Sequence, residues 1–172
     1  MLLLGGASVR FGGQKALATI DGETLAERAW RVLGEACDER IAFGKAGELE
    51  LPFAVRDDGI DVRAPIAGVV AGLRAARNEV AVFLPVDCPR VTAALLRELG
   101  GQCRDAAVPR SGPLPGAWAT SALAVLERRL ASGALSLVGA YAELDVAFIA
   151  VEERLLTDVD TRDDLARLTH RG

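Results

Sequence analysis

The sequence has few of the residues on which covalent and zinc-dependent catalysis most often depend. Its 172 residues include one histidine and three cysteines. The histidine, His170, lies close to the end of the chain, where a frayed terminus is a better expectation than a catalytic base. Cys37, Cys88 and Cys103 show no C-x-x-C spacing, so neither a disulfide framework nor a zinc site is expected. Reduced structural thiols fit this pattern better.

Long hydrophobic runs and a broad basic field are also missing. No window approaches the roughly 20 apolar residues that a membrane-spanning helix needs, and the opening MLLLGG is too short for a signal peptide. The net charge of -4 argues against nucleic-acid binding through bulk electrostatics. With 51% hydrophobic and 26% charged residues, the composition is that of a folded globular protein. We expect one cytoplasmic domain over residues 1–172 that binds neither nucleic acid nor membrane.

Short apolar runs alternate along the chain with helical patterns. This rhythm predicts an α/β fold, a single Rossmann-like three-layer domain with a mostly parallel sheet. The run VAVFLPVD at 80–87 suits a central strand that is buried on both faces. Ligands of such sheets bind at the carboxyl ends of the strands, near a topological switch point. The expected strands are 1–4, 39–43, 53–56, 80–87, 106–109 and 146–151, and the expected helices are 24–36, 66–76, 92–99, 121–130 and one that begins near 161.

The stretch LLLGGASVRFGGQK follows the first expected strand with four glycines and two cations, Arg10 and Lys15. Glycines let backbone N–H groups approach an anion, and the cations supply charge that a phosphate chain needs. Neither the P-loop pattern nor the dinucleotide fingerprint matches. The position and the spacing favour a phosphate-binding loop over a surface turn with incidental cations.

Two aspartates follow other expected strands. Asp87 ends the apolar run in FLPVDCP, where it suits either a metal ligand that faces bound phosphates or a cap for the next loop. Asp57 follows another expected strand in VRDDGIDVRAPIAG, where an Asp-Gly turn through Asp58 and Gly59 is a strong structural explanation. The residues alone therefore leave both interpretations open for Asp87 and favour the turn for Asp57.

The segment TDVDTRDDLARL combines an acidic turn with a helix start. Thr161 is expected to be the N-cap of the last helix, with Asp164 in its acidic first turn. Asp158 and Asp160 are explained either as part of this turn or as ligands at the same sheet edge.

Three blocks of sequence occur in an order that matches a known family. LLLGGASVRFGGQK resembles the nucleotidyltransferase signature L-x-G-G-x-S-x-R-x-G-x-x-K. APIAGVVAGLRAA followed by LPVDCPRVTAALL is similar to the middle of molybdenum cofactor guanylyltransferases, and TDVDTRDDLARL resembles their closing element. The resemblance implies a fold of the nucleotide-diphospho-sugar transferase type. It also implies Mg²⁺-dependent transfer of GMP from GTP to the phosphate of molybdopterin, which releases pyrophosphate and yields the guanine dinucleotide cofactor.

Carried over position by position, the resemblance implies three overlapping groups of site residues. The implied nucleotide-binding residues are Leu3, Leu4, Gly5, Gly6, Lys15, Asp57 and Asp87. The implied catalytic residues are Arg10, Lys15 and Asp87. The implied metal ligands are Asp87 and Asp160, with Asp158 the lesser match. The segment RSGPLPGAWATS is where the family receives the pterin.

The chain departs from the family pattern in its closing element. Arg162 stands where the family usually has a proline, and the aspartates of TDVDT are common in cytidylyltransferase relatives. One alternative is therefore a cytidylyltransferase of the molybdenum cofactor or of another phosphorylated metabolite. A second is a non-catalytic nucleotide-binding accessory protein, against which the intact Arg10, Lys15 and Asp87 argue. The family further implies transient contact with the molybdenum-insertion protein and target molybdoenzymes, and a monomer is the default expectation.

Overall fold

The computed structural model describes residues 1–5, 11, 13–44 and 49–169. Within these ranges the chain forms nine strands and five α-helices. The strands are β1 (Leu2–Leu3), β2 (Thr19–Ile20), β3 (Glu23–Thr24), β4 (Ala42–Phe43), β5 (Val55–Arg56), β6 (Val80–Pro85), β7 (Ala106–Pro109), β8 (Gly116–Ala119) and β9 (Val146–Ile149). The helices are α1 (Leu25–Ala36), α2 (Pro65–Ala75), α3 (Ala93–Gly101), α4 (Leu123–Ala131) and α5 (Arg162–Thr169).

Seven of the described strands form one sheet in the order β5-β4-β1-β6-β8-β7-β9. Every neighbouring pair is parallel except the two pairs made by β8, which runs antiparallel to both β6 and β7. β2 and β3 form a separate antiparallel pair. The predicted α/β fold with a mostly parallel sheet is therefore confirmed.

Helices cover both faces of this sheet. Successive side chains of β6 point to opposite faces, as the pleat of a strand requires. Leu84 packs in a core cluster with residues of α1 and α3, whereas Phe83 packs in a second cluster with residues of α2 and α4. Both side chains are almost completely buried, so β6 is the central strand that the apolar run predicted.

Two helices begin with reciprocal caps. At α1 the Glu27 N–H donates to Thr24 Oγ1 at 3.1 Å, while Thr24 N–H donates to the Glu27 carboxylate at 3.0 Å. At α5 the Asp164 N–H donates to Thr161 Oγ1 at 3.2 Å, and Thr161 N–H donates to Asp164 Oδ2 at 2.9 Å. Such pairs satisfy backbone donors that the first turn of a helix leaves open. The predicted N-cap at Thr161 is confirmed.

The sequence prediction missed the short pair β2 and β3 as well as β8, and it placed several boundaries differently. Gly116–Ala119 reads GAWA, and small residues of low strand propensity give little local signal. This segment is a strand because β6 and β7 both offer it backbone partners. The strands β1, β4, β5 and β9 are shorter than predicted. A 3-10 turn at Thr120–Ala122 precedes α4. None of the helices in the described ranges combines the length and apolarity that crossing a bilayer requires.

Candidate functional site

A cavity of about 640 Å³ opens at the carboxyl ends of the parallel strands. Residues that follow β1, β4 and β6 form one side of it, among them Gly5, Gly44 and Asp87. The segment that leads into α2 and the segment between β7 and β8 complete the walls. The cavity therefore lies where an α/β sheet is expected to bind its ligand.

A largely buried lysine joins two carboxylates at this cavity. The Lys15 ammonium Nζ lies 3.3 Å from Asp87 Oδ2 and 2.9 Å from Asp160 Oδ1. The Lys15 side chain is only 11% exposed, whereas that of Asp160 is 47% exposed. Burial alone would lower the pKa of Lys15, but hydrogen bonds and Coulombic attraction to Asp160 and Asp87 outweigh burial and raise it. The ammonium is therefore charged at neutral pH.

Three distant parts of the chain bring this cluster together. Lys15 opens a 3-10 turn after β1, and Asp87 lies two residues beyond the end of β6. Asp160 belongs to the segment between β9 and α5, which returns from the far edge of the sheet. The Val159 N–H donates to the Asp87 carbonyl oxygen at 2.8 Å, and the Val159 side chain is fully buried. This bond holds Asp160 beside the end of β6.

The end of β1 supplies three of the predicted nucleotide-binding residues. Leu3, Leu4 and Gly5 all line the cavity. The sheet already uses the Leu3 carbonyl, which accepts from the Val86 N–H at 2.9 Å, and the Leu4 N–H, which donates to Phe43. Gly5 has φ +75°, a left-handed conformation that favours glycine. Gly5, two residues beyond β1, is thus where the backbone can turn away from the sheet.

Two other predicted residues of the glycine loop, Gly6 and Arg10, lie outside the described residues, as does His170. Their predicted roles therefore stay predictions. The described flanks of the loop, Gly5 and Lys15, lie on opposite sides of this gap and both line the cavity. The two ends of the signature loop accordingly meet at one site.

Asp57 and Asp58 take different positions after β5. Asp57 Oδ1 accepts from the Gly59 N–H at 2.8 Å, and Asp58 Oδ1 accepts from the Ile60 N–H at 3.0 Å. Both bonds are of the Asx-turn kind, and the φ of +66° at Gly59 completes the turn that the Asp-Gly pair predicted. Asp58 lines the cavity, whereas Asp57 is exposed beside it. A nucleotide-binding role for Asp57 stays a prediction.

Several cavity residues were not predicted individually from the sequence. Arg63 lies just before α2, and its only sequence signal was a basic residue ahead of PIAG. Pro113 and Leu114 lie between β7 and β8, within the segment RSGPLPGAWATS that the resemblance assigns to the pterin. The other unpredicted lining residues are mostly apolar and include Phe43, Leu49, Ile60 and Val62.

The donor set suits a hard divalent cation. The carboxylates of Asp87 and Asp160 both contact one positive centre, the Lys15 ammonium, so their oxygens converge on a position that a cation can occupy. Across the described ranges no group of three or more potential metal-binding side chains occurs. Mg²⁺ is commonly held by only one or two carboxylates together with substrate phosphates.

Burial, followed by the charges of Asp87 and Asp158, raises the pKa of the Cys88 thiol, so a thiolate ligand is not expected there.

Curated relatives align with most of the chain. A probable molybdenum cofactor guanylyltransferase of Opitutus terrae is 36% identical over 148 residues, which cover 79% of this chain and 73% of that protein. A molybdenum cofactor guanylyltransferase of Desulfosudis oleivorans is 28% identical over 170 residues, which cover 93% of this chain and 84% of that protein.

Solved structures share the fold. Molybdopterin-guanine dinucleotide biosynthesis protein A of Archaeoglobus fulgidus superimposes with a TM-score of 0.80 at 24% identity, over 98% of this chain and 95% of that chain. The 2-C-methyl-D-erythritol 4-phosphate cytidylyltransferase of Thermus thermophilus superimposes with a TM-score of 0.74 at 19% identity, over 98% of this chain and 96% of that chain. A Mycobacterium tuberculosis protein in complex with manganese superimposes with a TM-score of 0.69 at 23% identity, over 99% of this chain and 97% of that chain. Because guanylyl- and cytidylyl-transferring proteins both match, the fold alone does not select a base.

A family model matches most of the chain as well. The model described as the MobA-like NTP transferase domain matches residues 1–146, which include Lys15, Asp87 and the cavity walls. The resemblance drawn from the three sequence blocks is thereby confirmed. The chain belongs to the MobA-like NTP transferase family and is a nucleotidyltransferase.

Proposed function

We propose that this nucleotidyltransferase moves GMP from GTP onto the terminal phosphate of molybdopterin. A phosphate oxygen of the acceptor forms the new bond to the α-phosphorus of GTP, the bond from that phosphorus to the β-phosphate oxygen breaks, and pyrophosphate leaves. The names of the two relatives support the choice of substrates. The observation that carries the reaction class is the convergence of Lys15, Asp87 and Asp160 at a cavity beside the glycine-rich signature.

The reaction asks the protein mainly to position two phosphates and to balance charge. No covalent nucleophile is required, in agreement with the neutral Cys88 thiol. Lys15 is placed to contact the triphosphate, with its ammonium exchanging a carboxylate partner for a phosphate oxygen. Arg10 is proposed to act beside it, and Gly5 and Gly6 to present backbone N–H groups to the nucleotide.

Asp87 and Asp160 would hold a divalent cation, which we propose to be Mg²⁺. When bound, the cation neutralises charge on the phosphates and on the departing pyrophosphate. The chain's own contribution is to fix both carboxylates at the end of β6 through the Val159 bond to the Asp87 carbonyl. Neither carboxylate is deeply buried, so both are accessible to a cation that arrives with the nucleotide.

The walls of the cavity suggest how the two substrates divide it. The apolar side near Leu3, Leu4 and Phe43 is proposed to take the base and the ribose, with Asp57 near this end. The segment at Pro113 and Leu114 lies in the stretch that we propose receives the pterin.

Pyrophosphate release tests the proposal. Purified protein, Mg²⁺ and molybdopterin are combined in parallel with GTP, CTP or ATP, and we expect release with GTP. A preference for CTP would move the protein to the cytidylyl alternative and leave the site assignments intact. Nucleotide binding without release would favour the non-catalytic alternative. Lys15→Met should abolish release, whereas Arg77→Met, which removes an exposed cation paired with Glu39, should not.

The remaining expectations stay predictions. The packing of Leu165 and Leu168 of α5 against the core cluster that contains Leu2 supports the interpretation as one domain over 1–172. The three cysteines are free thiols, which is compatible with the predicted cytoplasmic location. We also propose that the protein is a monomer that makes transient contacts with the molybdenum-insertion protein and target molybdoenzymes.

A further inference from the structure

The first residue of α5 reaches across to the glycine loop. The guanidinium carbon of Arg162 lies 6.0 Å from the centroid of the Phe11 ring. Its Nη2 lies 3.8 Å from the position that a Cβ on Gly13 would occupy. Gly13 lines the cavity and lies two residues before Lys15. The structure thus places a cation beside Gly13, a residue of the cavity wall, and beside Phe11 of the family signature.

Arg162 differs from Lys15 in how its charge is engaged. Lys15 is shared between two carboxylates. For Arg162, no carboxylate of the described ranges lies within 4.0 Å of a guanidinium nitrogen, although Arg167 on the same helix is paired with Asp164. The Arg162 side chain is exposed. Its donors are therefore available to an incoming anion, whereas Lys15 must first leave a carboxylate.

The helix does not explain a cation at this position. Positive charge in the first turn of a helix opposes the helix dipole, which acidic residues such as the following Asp163 and Asp164 complement. The contact with Phe11 offers a different reason. Phe11 is 6% exposed, so its ring is fixed in the core and can hold a planar guanidinium in one orientation over the loop.

We propose that Arg162 binds the polyphosphate of the nucleotide at the rim of the glycine loop. A guanidinium presents paired donors that match phosphate oxygens, and an arginine already oriented on an aromatic ring loses less freedom when it binds. The assignment rests on the proposed function only in that the natural ligand is a nucleoside triphosphate. It adds a cation from α5 to those that the glycine loop supplies.

Isothermal titration with GTP, inorganic tripolyphosphate and guanosine, each with Mg²⁺, tests this contact. Arg162→Gln removes the charge and keeps much of the side-chain length, Arg162→Lys keeps the charge without the planar fork, and Arg167→Gln removes a cation from the same helix. We expect Arg162→Gln to weaken the binding of GTP and of tripolyphosphate by about tenfold and to leave the binding of guanosine unchanged. Arg162→Lys should fall between wild type and Arg162→Gln, and Arg167→Gln should match wild type. The KM for GTP should rise with its Kd while kcat changes less.

Other outcomes overturn the assignment. Equal affinities in Arg162→Gln and Arg167→Gln would overturn it, as would an equal loss for guanosine, because the contact would then not be with phosphate. Thermal unfolding of each variant checks that α5 remains folded. If tripolyphosphate binding depends on Arg162 but no nucleotide supports pyrophosphate release, the assignment stands and the transfer reaction fails. If transfer proceeds normally in Arg162→Gln with an unchanged KM, the transfer reaction stands and the assignment fails.

Discussion

The two halves of the sheet are built differently and contribute differently to the site. In the half made of β5, β4, β1 and β6, all pairs are parallel, and three of the strands contribute only two residues each. In the half made of β8, β7 and β9, β8 is antiparallel, and β7 and β8 are buried along their whole lengths. Loops of the parallel half deliver Lys15 and Asp87 directly at the cavity. The other half contributes Asp160 through a returning segment.

The difference shows how parallel pairing concentrates function. The carboxyl ends of parallel strands meet at the same edge, so each following loop reaches the same cavity. The antiparallel β8 ends at the opposite edge, and only the segment that precedes it, with Pro113 and Leu114, touches the cavity. We therefore expect substitutions in the parallel half to affect catalysis most and substitutions in the mixed half to affect stability most.

Asp87→Asn tests the catalytic side of this comparison and should have the largest effect. Loss of a carboxylate charge at the proposed metal position should lower kcat/KM by about a thousandfold, with the thermal midpoint almost unchanged. Pyrophosphate release with GTP measures the rate. Asp163→Asn, which removes an exposed carboxylate of α5, is the matched control and should retain wild-type turnover. Wild-type turnover in Asp87→Asn would disprove the assignment.

Trp118→Ala tests the structural side. Trp118 lies on β8 and is fully buried in the second core cluster, so its removal should lower the free energy of unfolding by about 3–5 kcal/mol. Trp30→Ala is the comparison, because Trp30 is only partly buried and stacks on Phe53 with ring centroids 4.2 Å apart. Denaturant unfolding gives both values. Equal losses of unfolding free energy would show that Trp118 contributes no more to stability than Trp30, and would contradict the expected importance of the mixed half for stability.

The two helix caps provide a sharper comparison of smaller size. Thr24→Ala and Thr161→Ala each remove an N-cap side chain and should each lower the free energy of unfolding by about 1 kcal/mol. Only Thr161 adjoins Asp160, so only Thr161→Ala should also raise the KM for GTP. Unfolding curves and initial rates on the same preparations separate the two effects. An unchanged KM in Thr161→Ala would mean that the Val159 bond and the Lys15 contact hold Asp160 in place without the cap.

The smallest expected effect is a loss of stability in acid. Hydrogen bonds from Thr24 hold the pKa of Glu27 below its ordinary value of 4.5, and hydrogen bonds from Thr161 hold that of Asp164 below 3.8. A carboxylate whose pKa is lower in the folded state stabilises the fold above its unfolded pKa, and this contribution is lost as the pH falls through the folded pKa. Denaturant unfolding from about pH 7 to about pH 3 should show the decline, and Glu27→Gln should make it shallower. If stability falls equally steeply with pH in Glu27→Gln, the loss of stability in acid comes from other carboxylates.

Much of the fold and part of the site were predictable because their signals are local. The cap at Thr161 depends on a residue three positions away, and the apolar run of β6 marks a central strand by itself. The glycines that precede Lys15 and the position of Asp87 at a strand end likewise placed both residues at the same edge. β8 was missed because its identity as a strand depends on partners on both sides, not on its own residues.

By itself the sequence determined the alternation of the parallel strands with helices, the glycine-rich signature and the residue types available for phosphate and metal chemistry. Only the tertiary structure decided which of them meet. Lys15 and Asp160 are 145 positions apart in sequence, yet their side chains form a 2.9 Å hydrogen bond. The contact of Arg162 with Phe11 likewise exists because the segment between β9 and α5 returns from the far edge of the sheet to the end of β6. Side-chain periodicity reports a residue's immediate environment, whereas contacts of this range depend on strand order and on the path of the connecting segments.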